Sequence, residues 1–124
     1  MKILASFLFS TLLLSCTAQT DSKGGTFKDV SSEEAKNLMA ADHNLQIVDV
    51  RQNAEVARGM ITGAVQMDIS KPAFDKQLET LDKEKPVLVY CAAGGRSKTA
   101  QEIMQEKGFK IVYNLQRGYE QWEE

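Results

Sequence analysis

The run Val87-Leu88-Val89-Tyr90-Cys91-Ala92-Ala93-Gly94-Gly95-Arg96-Ser97 holds the residues best placed to do chemistry. A thiol ends an apolar stretch, and four small residues, an arginine and a serine follow it. Gly94 and Gly95 give the backbone angles closed to other residues and let it approach a ligand closely. Successive amides in such a loop can converge into an anion-binding nest. A helix starting at Arg96 or Ser97 would add free N–H groups and the positive end of its dipole. Arg96 would add a permanent cation. Each influence favours thiolate over thiol, so Cys91 is expected to be nucleophilic near neutral pH and open to a reaction partner.

The flanking elements must present that sulfur. Val87–Tyr90 is a continuous apolar run, as expected of a central parallel strand buried on both faces. Ala100, Ile103 and Met104 mark the buried face of the helix that follows, with Gly108 as its stop. Earlier in the chain, Ser31 and Glu34 have capping-box spacing ahead of a helix with Ala35, Leu38 and Met39 on one face. Leu45–Val50, Ala64–Met67 and Lys110–Asn114 read as further strands. A helix is expected from Pro72, with Phe74, Leu78 and Leu81 inward, and a short one over Gly118–Trp122. Strands alternating with helices imply an α/β fold on a parallel sheet, where chemistry sits at the carboxyl ends of the strands.

Composition excludes several alternatives. The 124 residues are 43% hydrophobic and 26% charged, which suits one globular domain rather than a disordered chain. A net charge of −2 disfavours a nucleic-acid partner. One His and two Cys leave few ligands for a metal site, and none is expected. His43, in a polar turn, and Arg58 read as surface residues.

The N-terminus has a separate purpose. Lys2 precedes an uncharged run, Ile3–Leu14, which is too short to span a bilayer and has the form of a secretory signal. It ends Leu13-Leu14-Ser15-Cys16, which resembles a bacterial lipobox. That resemblance implies cleavage of residues 1–15, acylation of Cys16, and export with a lipid anchor in a bacterial membrane, on the periplasmic or cell-surface side. Acyl chains would hold the protein there at about 0.8 kcal/mol per buried methylene. Residues 16–26 then read as a flexible polar tether, and residues 27–124 as the folded domain.

Three segments together resemble the single-domain rhodaneses, a sulfurtransferase family. Cys91-Ala-Ala-Gly94-Gly-Arg96-Ser97 is similar to the family loop C-x-x-G-x-R-[SAT]. Asp49-Val-Arg51 through Glu55 to Gly59-Met60-Ile61-Thr62-Gly63-Ala64 resembles D-V-R-x-x-x-E-[FY]-x-x-G-H-I-P-G-A. Asn114-Leu-Gln-Arg117-Gly118 through Trp122 resembles N-L-x-G-G-x-x-x-W. Val56, Met60, Thr62 and Arg117 depart from these patterns. The resemblance implies a three-layer sandwich with a central, mostly parallel sheet flanked by helices. Four residues separate Cys91 from Arg96, the sulfurtransferase spacing; related phosphatases have five.

The activity implied is transfer of a sulfane sulfur from a donor such as thiosulfate to cyanide or a thiol, through a persulfide on Cys91. No cofactor is implied. Ala92, Ala93, Gly94, Gly95, Arg96 and Ser97 would line the substrate, with the backbone amides of Ala92 to Arg96 holding the persulfide. Asp49, Arg51 and Glu55 would support the loop, in a structural rather than a chemical role. The alternative is a persulfide carrier or partner-docking module without turnover.

Overall fold

The computed structural model describes residues 24–123. The expected signal, Cys16 and most of the expected tether lie outside them, and Thr26 is already the first residue of β1 (Thr26–Val30). That edge strand leaves little trace in the sequence, because only Val30 of its five residues is buried.

The capping box forms as its spacing predicts. The Ser31 hydroxyl accepts from the Glu34 amide, and the Glu34 carboxylate accepts from the Ser31 amide, ahead of α1 (Ser32–Ala41). There follow β2 (Gln46–Asp49), α2 (Asn53–Val56), β3 (Val65–Gln66), α3 (Phe74–Leu78), β4 (Val87–Tyr90), α4 (Gly95–Glu106), β5 (Ile111–Leu115) and a 3₁₀ turn, Tyr119–Gln121. The helix expected from Pro72 is only the short α3. Leu81 packs on the core from the turn beyond it.

The sheet order is β1-β5-β4-β2-β3, and every pair is parallel. The expectation of a mostly parallel sheet is thus met in full among the described residues. All four β4 residues are buried, as a central strand requires. Its alternation splits the core. Val87, Val89 and Cys91 pack with Phe74 and Leu78 of α3 and Ala100 and Met104 of α4. Leu88 and Tyr90 face the opposite layer, with Ala35 of α1, Leu115 and the partly buried Trp122. Helices therefore cover both faces, giving three layers.

From β2 the chain runs through α2 outward to β3, and from β4 through α4 the other way to β5. The connections diverge between β2 and β4, and that switch point leaves a crevice at the strands' carboxyl ends. Cys91 is the first residue beyond β4 at this point.

Candidate active site

The pleat that buries Val87 and Val89 carries Cys91 to the same face, and the residue is 1% exposed. This differs from the open sulfur expected from the sequence. Its donors, however, turn inward. Cys91 Sγ accepts from the Gly94 amide at 3.1 Å and from the Ser97 hydroxyl at 3.3 Å. Burial pushes the thiol pKa up, but the Ser97 hydroxyl and the amides of Ser97, Gly94 and Ala93 outweigh it and hold the pKa below its usual value. In the free protein the hydrogen bonds on Sγ come from the Gly94 amide and the Ser97 hydroxyl. Ser97 is fully buried and serves the sulfur directly, at the first turn of α4.

Only one of the two loop glycines is conformationally required. Gly94 has φ +103°, and a Cβ there would lie 2.1 Å from the Gln116 carbonyl oxygen. Gly95 has no close neighbour within 4 Å and begins α4 with ordinary angles.

Arg96 does not contact the sulfur. Its guanidinium forks onto Glu55, Nη1 to Oε2 at 2.8 Å and Nη2 to Oε1 at 2.7 Å. The Arg96 hydrogen bonds, against a smaller opposing effect of burial, lower the Glu55 pKa to about 2. The same pairing raises the Arg96 pKa, with lesser contributions from Cys91 and Asp68. Arg96 thus supplies field near the thiolate while its hydrogen bonds tie α4 to α2.

Asp49 and Arg51 form a second, buried pair, 0% and 4% exposed, with Nη2 to Oδ2 at 2.6 Å. Arg51 also donates to the Gly59 carbonyl at 2.8 Å and lies 4.2 Å over the Tyr119 ring. The pair braces the loop leaving β2 and does not reach the sulfur by any hydrogen bond.

The C-terminal segment locks the loop from the other side. The Tyr119 amide donates to the Cys91 carbonyl at 2.8 Å, and the Glu120 amide to the Ala92 carbonyl at 3.0 Å. Gly118, at φ +65°, leaves room where a Cβ would fall 2.3 Å from the Ala92 oxygen. Asn114 donates to Asp29 at 3.0 Å and reaches toward the Gly94 carbonyl at 3.4 Å. The motif Asn114–Trp122 signalled this segment, but not what it touches. Nothing in the sequence marked Asp68. His43 and Arg58 are exposed, as expected of surface residues.

The fold and site define an α/β protein with a buried cysteine in a donor-lined loop at the switch point of its sheet. Comparison with known proteins narrows that class. A family model described as the rhodanese-like domain matches residues 31–124, and the chain belongs to this family. It is 38% identical to a putative sulfurtransferase, YtwF, of Bacillus subtilis, over 77% of this chain and 90% of that protein. It is 36% identical to the thiosulfate sulfurtransferase GlpE of Coxiella burnetii, over 77% and 87%. A rhodanese-like domain protein from Staphylococcus aureus superposes with a TM-score of 0.70 at 28% identity, covering 78% and 92%. The human single-domain sulfurtransferase TSTD1 gives 0.64 at 25%, covering 76% and 93%. The chain is a homologue of sulfurtransferases, and its sheet is the one they share.

Proposed function

We propose that the protein transfers a sulfane sulfur from a donor such as thiosulfate to a nucleophilic acceptor, cyanide or a thiol, through a persulfide on Cys91. The observation that carries this reading is the pair of donors on Cys91 Sγ, the Gly94 amide and the Ser97 hydroxyl. Both stabilise an anion there before any substrate arrives.

The thiolate attacks the outer sulfur of thiosulfate. The Cys91 S–S bond forms, the sulfur–sulfur bond of the donor breaks, and sulfite leaves with the electron pair. The acceptor then attacks the outer sulfur, and Cys91 departs as thiolate. That outer sulfur stands about 2 Å from Sγ. No general base is needed, because the attacking sulfur is already anionic. Mass spectrometry after thiosulfate treatment is expected to show an adduct of about 32 Da on Cys91, absent in Cys91→Ser. No adduct from any sulfane donor would overturn the mechanism.

A second reading, a persulfide carrier that docks on a partner without turnover, is favoured by the 1% exposure of Cys91. Steady turnover with thiosulfate and cyanide supports the enzyme, whereas a single equivalent of transferred sulfur supports the carrier. The lipobox-like Cys16 supports a lipid-anchored, exported location. Palmitate labelling of the membrane fraction is expected to vanish in Cys16→Ala.

A further inference from the structure

Asn114 places an amide where the sheet would otherwise present an apolar side chain. It stands on β5 between Asp29 of β1 and Val89 of β4, on the α4 side of the sheet that also carries Val112, Val89 and Cys91. The residue is 3% exposed, and its Oδ1 is buried with no hydrogen-bond partner among the described residues. An orphaned acceptor counts against stability, so the reason for an amide lies at its other end. Nδ2 donates to Asp29 Oδ1 at 3.0 Å and to the Gly94 carbonyl at 3.4 Å. A carboxylate and a carbonyl can only accept. Turning the amide over would therefore set oxygen against oxygen on both sides.

The Gly94 carbonyl matters because the Gly94 amide donates to Cys91 Sγ at 3.1 Å. Gly94 has φ +103°, a conformation that glycine enters and leaves freely, so nothing in the residue itself keeps its N–H on the sulfur. The Lys98 amide donates to the same carbonyl at 3.2 Å, but that bond belongs to the first turn of α4 and moves with the helix. Asn114 Nδ2 is the hydrogen bond that ties the carbonyl to the sheet. Asp29 in turn orients the amide, and its Oδ1 also receives Lys98 Nζ at 3.4 Å. The Asn114 hydrogen bond, opposed by burial and aided by Lys98, holds the Asp29 pKa below its usual value, so this carboxylate is charged throughout the neutral range.

We propose that Asn114 is a positioning residue for the sulfur site, holding the Gly94 carbonyl so that the Gly94 amide stays on Cys91 Sγ, with Asp29 fixing which way the Asn114 amide points. The inference rests on the sulfurtransferase reading and adds to that site a residue that touches neither the sulfur nor the substrate. It also assigns a purpose to the edge strand β1, whose Asp29 acts on the thiolate through Asn114 and Gly94.

The test is the pH profile of Cys91 alkylation by iodoacetamide, read beside urea midpoints. Asn114→Leu keeps the size of the side chain and loses both hydrogen bonds. It is expected to move the profile to higher pH and to slow alkylation near neutral pH roughly threefold or more, the contribution of one neutral hydrogen bond. Gln101→Leu is the structural control. Gln101 is buried and ties α4 to the same two strands, its Nε2 donating to the Lys28 and Val112 carbonyls, without touching Gly94. It should lower the urea midpoint and leave the alkylation profile in place. Asp29→Asn and Asp29→Ala remove the same charge, but only the first keeps an acceptor for Nδ2, so Asp29→Ala should show the higher thiol pKa of the two. This comparison decides the matter if Asn114→Leu does not fold. An unmoved profile in Asn114→Leu, an equal shift in Gln101→Leu, or identical profiles for the two Asp29 variants overturns the assignment. Failure of thiosulfate to leave sulfur on Cys91 of the unmutated protein overturns the sulfurtransferase reading instead, and alkylation, which needs no sulfur donor, separates the two failures.

Discussion

Arg96 grips both carboxylate oxygens of Glu55, at 2.8 and 2.7 Å, across 41 residues of sequence. The contact joins α4, which carries Ser97, to α2, at the end of the sheet where the connections after β2 and β4 diverge. Glu55 also accepts from the Gln52 amide at 3.0 Å, so the same carboxylate caps α2. The carboxylate pKa is lowered by the fold, from 4.5 to about 2. Its stabilisation is therefore fully present above about pH 4.5 and is lost as pH falls toward 2. Urea midpoints measured from pH 6 to pH 2 should fall through that window. In Glu55→Gln the midpoint at pH 6 should be lower and this part of the acid dependence should flatten. An unchanged slope would remove Glu55 from the account.

Ser97 tests the origin of the thiolate. Its hydroxyl is the side-chain donor to Cys91 Sγ, and the residue is fully buried. Hydrogen bonds to charged groups contribute about 1.5–3 kcal/mol, and one pKa unit corresponds to about 1.4 kcal/mol. Ser97→Ala should therefore raise the Cys91 pKa, with Ser97→Thr closer to the parent. The pH dependence of alkylation by iodoacetamide reads this directly. A Ser97→Ala protein with an unmoved pKa would assign the thiolate to the amides alone.

The contrast between Ser97 and Arg96 shows what the sequence could and could not disclose. The apolar run of β4, the cysteine at its end and the small residues after it were legible, because burial and turn chemistry act locally. The capping box at Ser31 was legible for the same reason. Arg96 next to a nucleophile invited a direct electrostatic role, yet its partner, Glu55, is supplied by a different strand–helix unit. Such a choice depends on sheet order, which no local pattern encodes. β1 was obscured because its exposed charged residues mask an edge strand, and α2 because four residues leave no period. Asp68 was invisible, because an aspartate in a polar loop becomes unusual only when tertiary packing buries it.

The Asp49–Arg51 pair should behave as structure rather than chemistry. Both partners are almost fully buried, and Arg51 links Asp49 to the Gly59 carbonyl and the Tyr119 ring. Arg51→Met strands a buried carboxylate, so the expected loss of stability is about 3–5 kcal/mol. Replacing both partners, Asp49→Asn with Arg51→Met, removes the unpaired charge and should cost less than the two single losses added together. The Cys91 pKa should stay near the parental value in any variant that folds. Additive losses in denaturant titrations would contradict the coupling.

Gly94 and Gly95 are adjacent and chemically identical, yet they should respond oppositely to alanine. At Gly94 the backbone is left-handed, φ +103°, and a methyl group would lie 2.1 Å from the Gln116 carbonyl oxygen. Backbone strain alone costs about 1–3 kcal/mol for a side chain in such a region, and the clash adds to it. Relief requires the 116–118 turn to move. That turn is itself held where Gly118 passes the Ala92 carbonyl, and it leads into the Tyr119 amide bond to Cys91. Gly94→Ala should thus destabilise the protein and also raise the Cys91 pKa, because the Gly94 amide is one of the sulfur's donors. Gly95→Ala meets no atom within 4 Å and places alanine in the first turn of a helix. There it should stabilise by about 0.4–1 kcal/mol through the unfolded chain, with no change in thiol reactivity. Thermal midpoints and alkylation pH profiles for the two variants, measured side by side, decide the matter. Equal losses at both positions would mean that the loop needs two flexible residues, rather than one left-handed turn at Gly94.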